Sequence, residues 1–179
     1  MGRSGLAQQS LIRVAQQSDI YTLSAFAVTT YTAAFGHSFS ASDLAAHLEK
    51  NLSPDRFAQI LQEDIVLLAE VGDSLVGYVQ FGPVNPTTIP NTDHELRRLY
   101  VRADCQNQGY GSALLEAALS HPQMAKAPSI YLDVWEHNPA AQRLYRRYGF
   151  DVIGTRTFDV ASGSETSLDL IMVRHSPEK

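Results

Sequence analysis

The chain has 179 residues, 44% of them hydrophobic and 18% charged, with one cysteine and a formal net charge of -5. At this length a chain buries roughly 70% of the surface its unfolded form exposes, so a single domain holds together without disulfide or metal staples. The lone Cys105, the absence of a charged-then-apolar leader and apolar runs no longer than residues 65–69 lead us to expect a cytoplasmic globule with no membrane span.

Residues 1–9 read as a ragged end and residues 11–14 as a first strand. Ser18 and Asp19 offer an N-cap to an apolar helix that runs through Phe35 and is stopped by Gly36. Ser42 and Asp43 start a second helix to Leu52, and Ser53-Pro54 supplies a cap and a first-turn proline for a third, through Leu61. The period then changes. Residues 65–71 and 75–81 are β-branched and apolar runs separated by Gly72-Asp73-Ser74, which predicts a hairpin. Residues 83–93 hold three prolines and two asparagines and read as a surface loop. Residues 95–101 alternate imperfectly, as a strand with a bulge or one buried on both faces does. Helical spacing returns over 109–119 through Leu114, Leu115, Ala118 and Leu119. Residues 130–134 predict a strand, 139–148 a helix, and 150–153 and 168–173 two further strands. Front helices, a hairpin, then strand, helix, strand, helix, strand describe a mixed α/β sandwich built on one sheet.

Charge is unevenly placed. Residues 1–90 carry eight acidic and four basic side chains, whereas 95–156 carry eight basic against six acidic ones. An anionic ligand would favour that middle segment, although arginines on amphipathic helices also simply solvate outer faces. No basic run exceeds two residues and the pI is near 5.6, which argues against nucleic acid as a partner. The six histidines show no ligand spacing, so no metal is expected.

The stretch richest in chemistry is Leu99-Tyr100-Val101, a short loop, then Gln106-Asn107-Gln108-Gly109-Tyr110-Gly111-Ser112. A strand there feeds a glycine-punctuated turn and then a helix, whose first amide groups and positive dipole end suit a pyrophosphate. Two glycines easing a tight turn would give the same pattern. A P-loop needs Lys followed by Ser or Thr after its last glycine, and Ser112-Ala113 supplies neither. A dinucleotide fingerprint needs a third glycine where Leu114 stands.

What remains, Gln-x-x-Gly-x-Gly after a strand of type Leu-x-x-Leu-Tyr-Val, resembles the cofactor core of the GCN5-related N-acetyltransferase (GNAT) superfamily through Gln106, Gly109 and Gly111. A second block, Asn-x-x-Ala-x-x-Leu-Tyr-x-x-x-Gly-Phe, is matched by Asn138, Ala141, Leu144, Tyr145, Gly149 and Phe150. The proline often found two residues after the strand is Ala103 here. Weaker similarity over Ala34-Phe35-Gly36, the 43–48 helix, Val134-Trp135-Glu136 and the tail Asp169-Leu170-Ile171-Met172 is to the bacterial Pai-type polyamine acetyltransferases.

The resemblance implies a single α/β domain over 1–179 with a mixed, mostly antiparallel sheet of six to seven strands. Its cofactor, acetyl-CoA, would lie between two splayed central strands and leave as coenzyme A. By that resemblance the backbone of Leu99, Tyr100 and Val101 pairs with the pantetheine arm. Amides from Gln106, Asn107, Gln108, Gly109, Tyr110, Gly111 and Ser112 cradle the pyrophosphate. Tyr145 becomes the candidate acid for the leaving thiolate, since a phenol is protonated at neutral pH. On spacing alone Ala141, Leu144, Tyr145 and Tyr148 are a core stripe. Asn138 reads both as an N-cap and as a bond to the cofactor arm. Glu95 is a candidate base or a solvated strand end, and Glu136 competes for that role or for holding a second ammonium. Tyr31 and Phe35 are core or acceptor wall, and Cys105 a small buried side chain. The implied reaction moves an acetyl group by direct attack onto a primary amine, a polyamine foremost. The alternatives are a protein or peptide amino terminus, or an acyl-CoA sensor without catalysis. Partners are then a small-molecule amine and, in some arrangements, a second copy in a homodimer, with no nucleic acid and no membrane.

Overall fold

A computed structural model describes residues 10–84, 93–159 and 166–176; the expected ragged end and most of the 83–93 loop lie outside them. Seven strands form one sheet in the order β1-β2-β3-β4-β5-β7-β6. They are β1 (Leu11–Val14), β2 (Ile65–Val71), β3 (Ser74–Pro83), β4 (His94–Val101), β5 (Ser129–Trp135), β6 (Asp151–Asp159) and β7 (Thr166–His175). The helices are α1 (Ile20–Phe35), α2 (Ala41–Leu52), α3 (Pro54–Glu63), α4 (Tyr110–Ser120), α5 (Pro122–Lys126) and α6 (Pro139–Arg147).

Strand alternation gives the sheet two apolar faces, each covered by helices. On the front, Leu23 and Ala27 of α1 with Phe57 and Ile60 of α3 pack on Val66, Leu68 and Tyr78. On the back, Leu114, Leu115 and Ala118 of α4, Met124 of α5 and Tyr145 of α6 pack on Val79, Phe81, Leu96, Ile130, Leu132 and Met172. Each fully buried side chain of this size contributes about 1.5–3 kcal/mol relative to exposure.

Every strand and the five longer helices were legible, with differences at their ends. Helix α2 starts one residue earlier than Ser42 because Ser40 caps it, its Oγ accepting from Asp43 N at 3.1 Å. Asp19 makes no side-chain cap to α1; its carboxylate instead accepts two bonds from Arg13, at 2.7 and 2.9 Å, and one from Gln16 N at 2.7 Å. Gly36 does not end the chain's right-handed course: its φ is -56, and a single tight turn continues to Ser38. Strand β6 runs well past 153 through Gly154-Thr155-Arg156-Thr157, a polar stretch that pairing with β7 holds extended. The short α5 rests on Pro122 in its first turn and a cap from the His121 ring.

The feature that makes the site is the join of β4 and β5. These two are parallel and pair only at His94 with Ile130 and Glu95 with Tyr131. Beyond Glu95 they part, while β4 stays paired with β3 up to Val101. The sheet is therefore split from one side, with a half-open strand along one lip.

Candidate active site

The split opens into a cavity of about 440 Å3 on the back of the sheet, between α4 and α6. Its walls include Leu99 and Val101 from β4, the turn Gln106, Asn107 and Gly109, and Gly111 and Ser112 from the first turn of α4. Asn138 and Tyr145 face them from α6. These are nine of the residues singled out in the sequence, brought together from segments 46 positions apart. Tyr100, Gln108 and Tyr110 do not line the cavity: Tyr100 packs on the front core and Tyr110 on the back core, and the Gln108 amide donates to the Asp104 carbonyl at 2.9 Å. Leu144, Ala140, Ala141, Arg147 and Cys105 complete the lining. Apart from Cys105 they lie on α6 at helical spacing with Asn138; Ala141 and Leu144 entered the sequence reading through the family block they match. Arg147 was read only as part of the basic middle segment.

The turn into α4 is built for close approach. Asn107 and Gly109 both have positive φ, 59 and 92, so the chain reverses tightly before the helix. Helices α2, α3, α5 and α6 each carry a side-chain cap, whereas α4 has none. Its first amides have no preceding turn to pair with, and Gly111 and Ser112 of this first turn line the cavity. Gly111 has a different status from Gly109. A Cβ there would meet only Leu144 at 3.7 Å and Val101 at 3.8 Å, ordinary contacts.

Across the cavity, Asn138 caps α6, its Oδ1 accepting from Ala141 N at 3.1 Å. Its NH2 group stays available for a second bond. Gln142 braces the preceding turn, its Nε2 donating to the carbonyls of Trp135 at 3.2 Å and Glu136 at 2.8 Å. Tyr145 is 6% exposed, and burial pushes its phenol above the ordinary value, with nearby Tyr100 adding to the effect. It is thus firmly protonated. Tyr148 donates to Glu116 at 2.5 Å and so ties α6 to α4. Cys105 is buried, its thiol 3.4 Å from Asp104 and 3.3 Å from Arg102.

On the front face, the other side of the split is acidic and aromatic. Glu95 and Asp133 lie on β4 and β5, and Asp169 on β7 stands opposite Trp135 and Arg156. Arg156 bonds Asp133 at 2.9 Å. Burial raises the proton affinity of all three carboxyls. Arg97 opposes this for Glu95 and Arg156 does so for Asp133, while Asp133 adds to it for Asp169. Tyr31 stacks on His47, ring centroids 4.6 Å apart, and Phe35 meets Trp135 edge-on at 5.7 Å. The end of α1 thereby reaches the end of β5 over the split. Glu136 follows in the turn, 3.7 Å from the His137 ring. Among the described residues no group of acidic, histidine or cysteine side chains could hold a metal ion, and no helix is long and apolar enough to cross a membrane.

Residues 21–150 match the model of the Acetyltransferase (GNAT) family. An uncharacterized N-acetyltransferase of Mycobacterium bovis is 30% identical over 159 residues, 88% of this chain and 97% of that protein. The spermine/spermidine N(1)-acetyltransferase of Bacillus subtilis is 33% identical over 88 residues, 48% of this chain and 58% of that protein. The crystal structure of PaiA N-acetyltransferase from Thermoplasma acidophilum in complex with coenzyme A shares the fold. Its TM-score is 0.73 at 19% identity, over 94% of this chain and 99% of that one.

Proposed function

The chain belongs to the GNAT acetyltransferase family and is an acetyl-CoA-dependent N-acetyltransferase; from that premise we propose that its acceptor is a polyamine, with Tyr145 as acid and Glu95 as base. The cavity fits the cofactor: an uncapped helix start, a glycine whose missing Cβ nothing in the protein requires, and a protonated phenol share one 440 Å3 space. In this reading the amides of Gln106 to Ser112 hold the pyrophosphate, and the parted lip of β4 at Leu99 to Val101 holds the pantetheine arm together with the Asn138 amide. Bound acetyl-CoA supplies an activated acetyl thioester.

The protein's own residues then manage the protons. Glu95 takes one from the acceptor ammonium, leaving the nitrogen its lone pair. Tyr145 holds a proton at its hydroxyl for the leaving sulfur, a role that burial favours by keeping the phenol neutral. Tyr31 and Phe35 wall the acceptor, and Glu136 or the front carboxylates receive its second ammonium.

The observation that carries the acceptor is the charge of the front face. Glu95, Asp133 and Asp169 gather with two guanidiniums, Arg97 and Arg156, a local excess of negative charge that an acceptor ammonium would offset. The test is acetyl-CoA-dependent thiol release with spermidine, spermine, monoamines, amino acids and peptides as acceptors. Spermidine or spermine should exceed the monoamines by up to about fivefold in kcat/KM, the worth of one partly screened ion contact of about 1 kcal/mol. A preference for peptide amino termini would overturn the polyamine reading. Binding without acceptor-dependent release would make the site a sensor.

A further inference from the structure

Strand β4 has one residue more than β3 across from it: Gln80 pairs with Arg98 and Phe81 with Leu96, leaving Arg97 without a partner. This is a β-bulge, and it breaks the alternation. Leu96 and Leu99 face the back core, while Arg97 and Arg98 both turn their side chains to front-face partners. Glu95 and Arg97, two residues apart, share the front face as they would in a regular strand, and the bulge adds Arg98 to that face while returning Leu99 to the back.

Arg97 is fixed there by all three of its nitrogens. Nε donates to Asp64 Oδ2 at 2.9 Å, Nη2 to the Pro83 carbonyl at 2.6 Å, and Nη1 to Glu95 Oε2. Asp64 is itself held, accepting from the amide of the buried Gln80 at 2.5 Å. Its carboxylate lies so close over Gly82 that a Cβ at that position would stand 1.9 Å from Oδ1. A residue that cannot swing away fixes its third partner too. Two anchors on two different segments, Asp64 and the Pro83 carbonyl, hold the guanidinium against Glu95.

We propose that Arg97 is the positioning residue of the proton-accepting step, locking the Glu95 carboxylate in place and keeping it in its unprotonated form; this rests on the reading of Glu95 as base. The groups facing Glu95 are Arg97 on its own strand, Asp64 at the joint of α3 and β2, Asp133 on β5 and Arg156 on β6. Burial and the two aspartates favour the protonated acid, and Arg97 is the strongest opposing influence. Without it, Glu95 would carry a proton at pH values where the wild type does not, and could not break the ammonium N–H bond. At higher pH it would lose that proton and work again.

The experiment is the pH profile of kcat/KM for spermidine, or for the best acceptor found, in the wild type, Arg97→Met, Arg97→Lys and Glu95→Gln. Removal of the charge in Arg97→Met should move the acid limb upward by about one pH unit, the lower end of what a neighbouring cation does to a carboxylate. The plateau at high pH should be largely kept, and Arg97→Lys should restore most of the limb's position. If Arg97→Met lowers the rate equally at every pH, or changes nothing, while Glu95→Gln abolishes the limb, Arg97 has no such role and Glu95 remains the base. If Glu95→Gln leaves the limb intact, the base assignment itself falls and the proposal with it. Should the Met variant not fold, Arg97→Gln is read in the same way.

Discussion

Replacing Gly111 with alanine separates what the fold needs from what the ligand needs. The added Cβ would lie 3.7 Å from the nearest Leu144 atom and 3.8 Å from Val101, and the residue sits within helix α4 at a backbone conformation any amino acid adopts. In the free protein the substitution should therefore stabilise, by about 0.5–1 kcal/mol from helix propensity and reduced unfolded-state entropy. For a domain of this size that raises Tm by about 1–4 °C. Gly111 also lines the cavity, so the methyl group intrudes where the pyrophosphate is proposed to lie. Forcing that contact costs about 1–3 kcal/mol, as overpacking does elsewhere, which weakens acetyl-CoA binding about 5- to 150-fold. Calorimetric titration with coenzyme A and a thermal melt of the same sample read both quantities. Gly109→Ala is the control with the opposite signature: its φ of 92 makes any side chain strained, so its Tm should fall. Unchanged affinity in Gly111→Ala would show that the cofactor does not pass close to the first turn of α4. A lowered Tm would show that the space around Gly111 is not free.

Tyr78 is fully buried between α1, α3 and β4, with its ring against Phe26, Phe57 and Tyr100 and its hydroxyl without a hydrogen-bond partner. Tyr78→Phe removes an unsatisfied group and keeps the ring, so denaturant unfolding should show a gain of about 1 kcal/mol; a loss would mean the hydroxyl is satisfied after all. Arg13 bridges Asp19 and Glu70, with bonds of 2.7 Å to each, and its side-chain bond is the main reason the Asp19 carboxyl lies below its usual range. A depressed folded value means stability that is full above the unfolded value of about 3.9 and is lost as pH falls through the folded one. Wild type should accordingly exceed Arg13→Met by about 1 kcal/mol at pH 7 and lose that advantage below about pH 4. An advantage independent of pH would assign it to packing of the arginine stem.

The two walls of the cavity were readable because each is local. Gln106, Gly109 and Gly111 lie within one strand-to-helix turn, and Asn138 through Tyr145 within one helix, so spacing brings each set to one wall. The carboxylate cluster on the front face was not. Asp133, Arg156 and Asp169 converge only because β7 inserts between β5 and β6, and nothing in their spacing announces that order. The bulge in β4 was legible as broken alternation, yet not which residue it would displace, since that depends on the register with β3.

Among the described residues, the two residue pairs that join β4 to β5 are the only strand pairing between one half of the sheet, β1 to β4, and the other, β5 to β7. Past Glu95 the facing sides of β4 and β5 stand apart, while β4 stays paired with β3 and β5 with β7. Both halves line the cavity, Leu99 and Val101 from β4 on one side and Asn138 and Tyr145 from α6 on the other, so whatever fills the gap touches both. Occupancy of the split by an extended ligand would then act as a missing strand, slowing amide exchange along Leu99 to Val101.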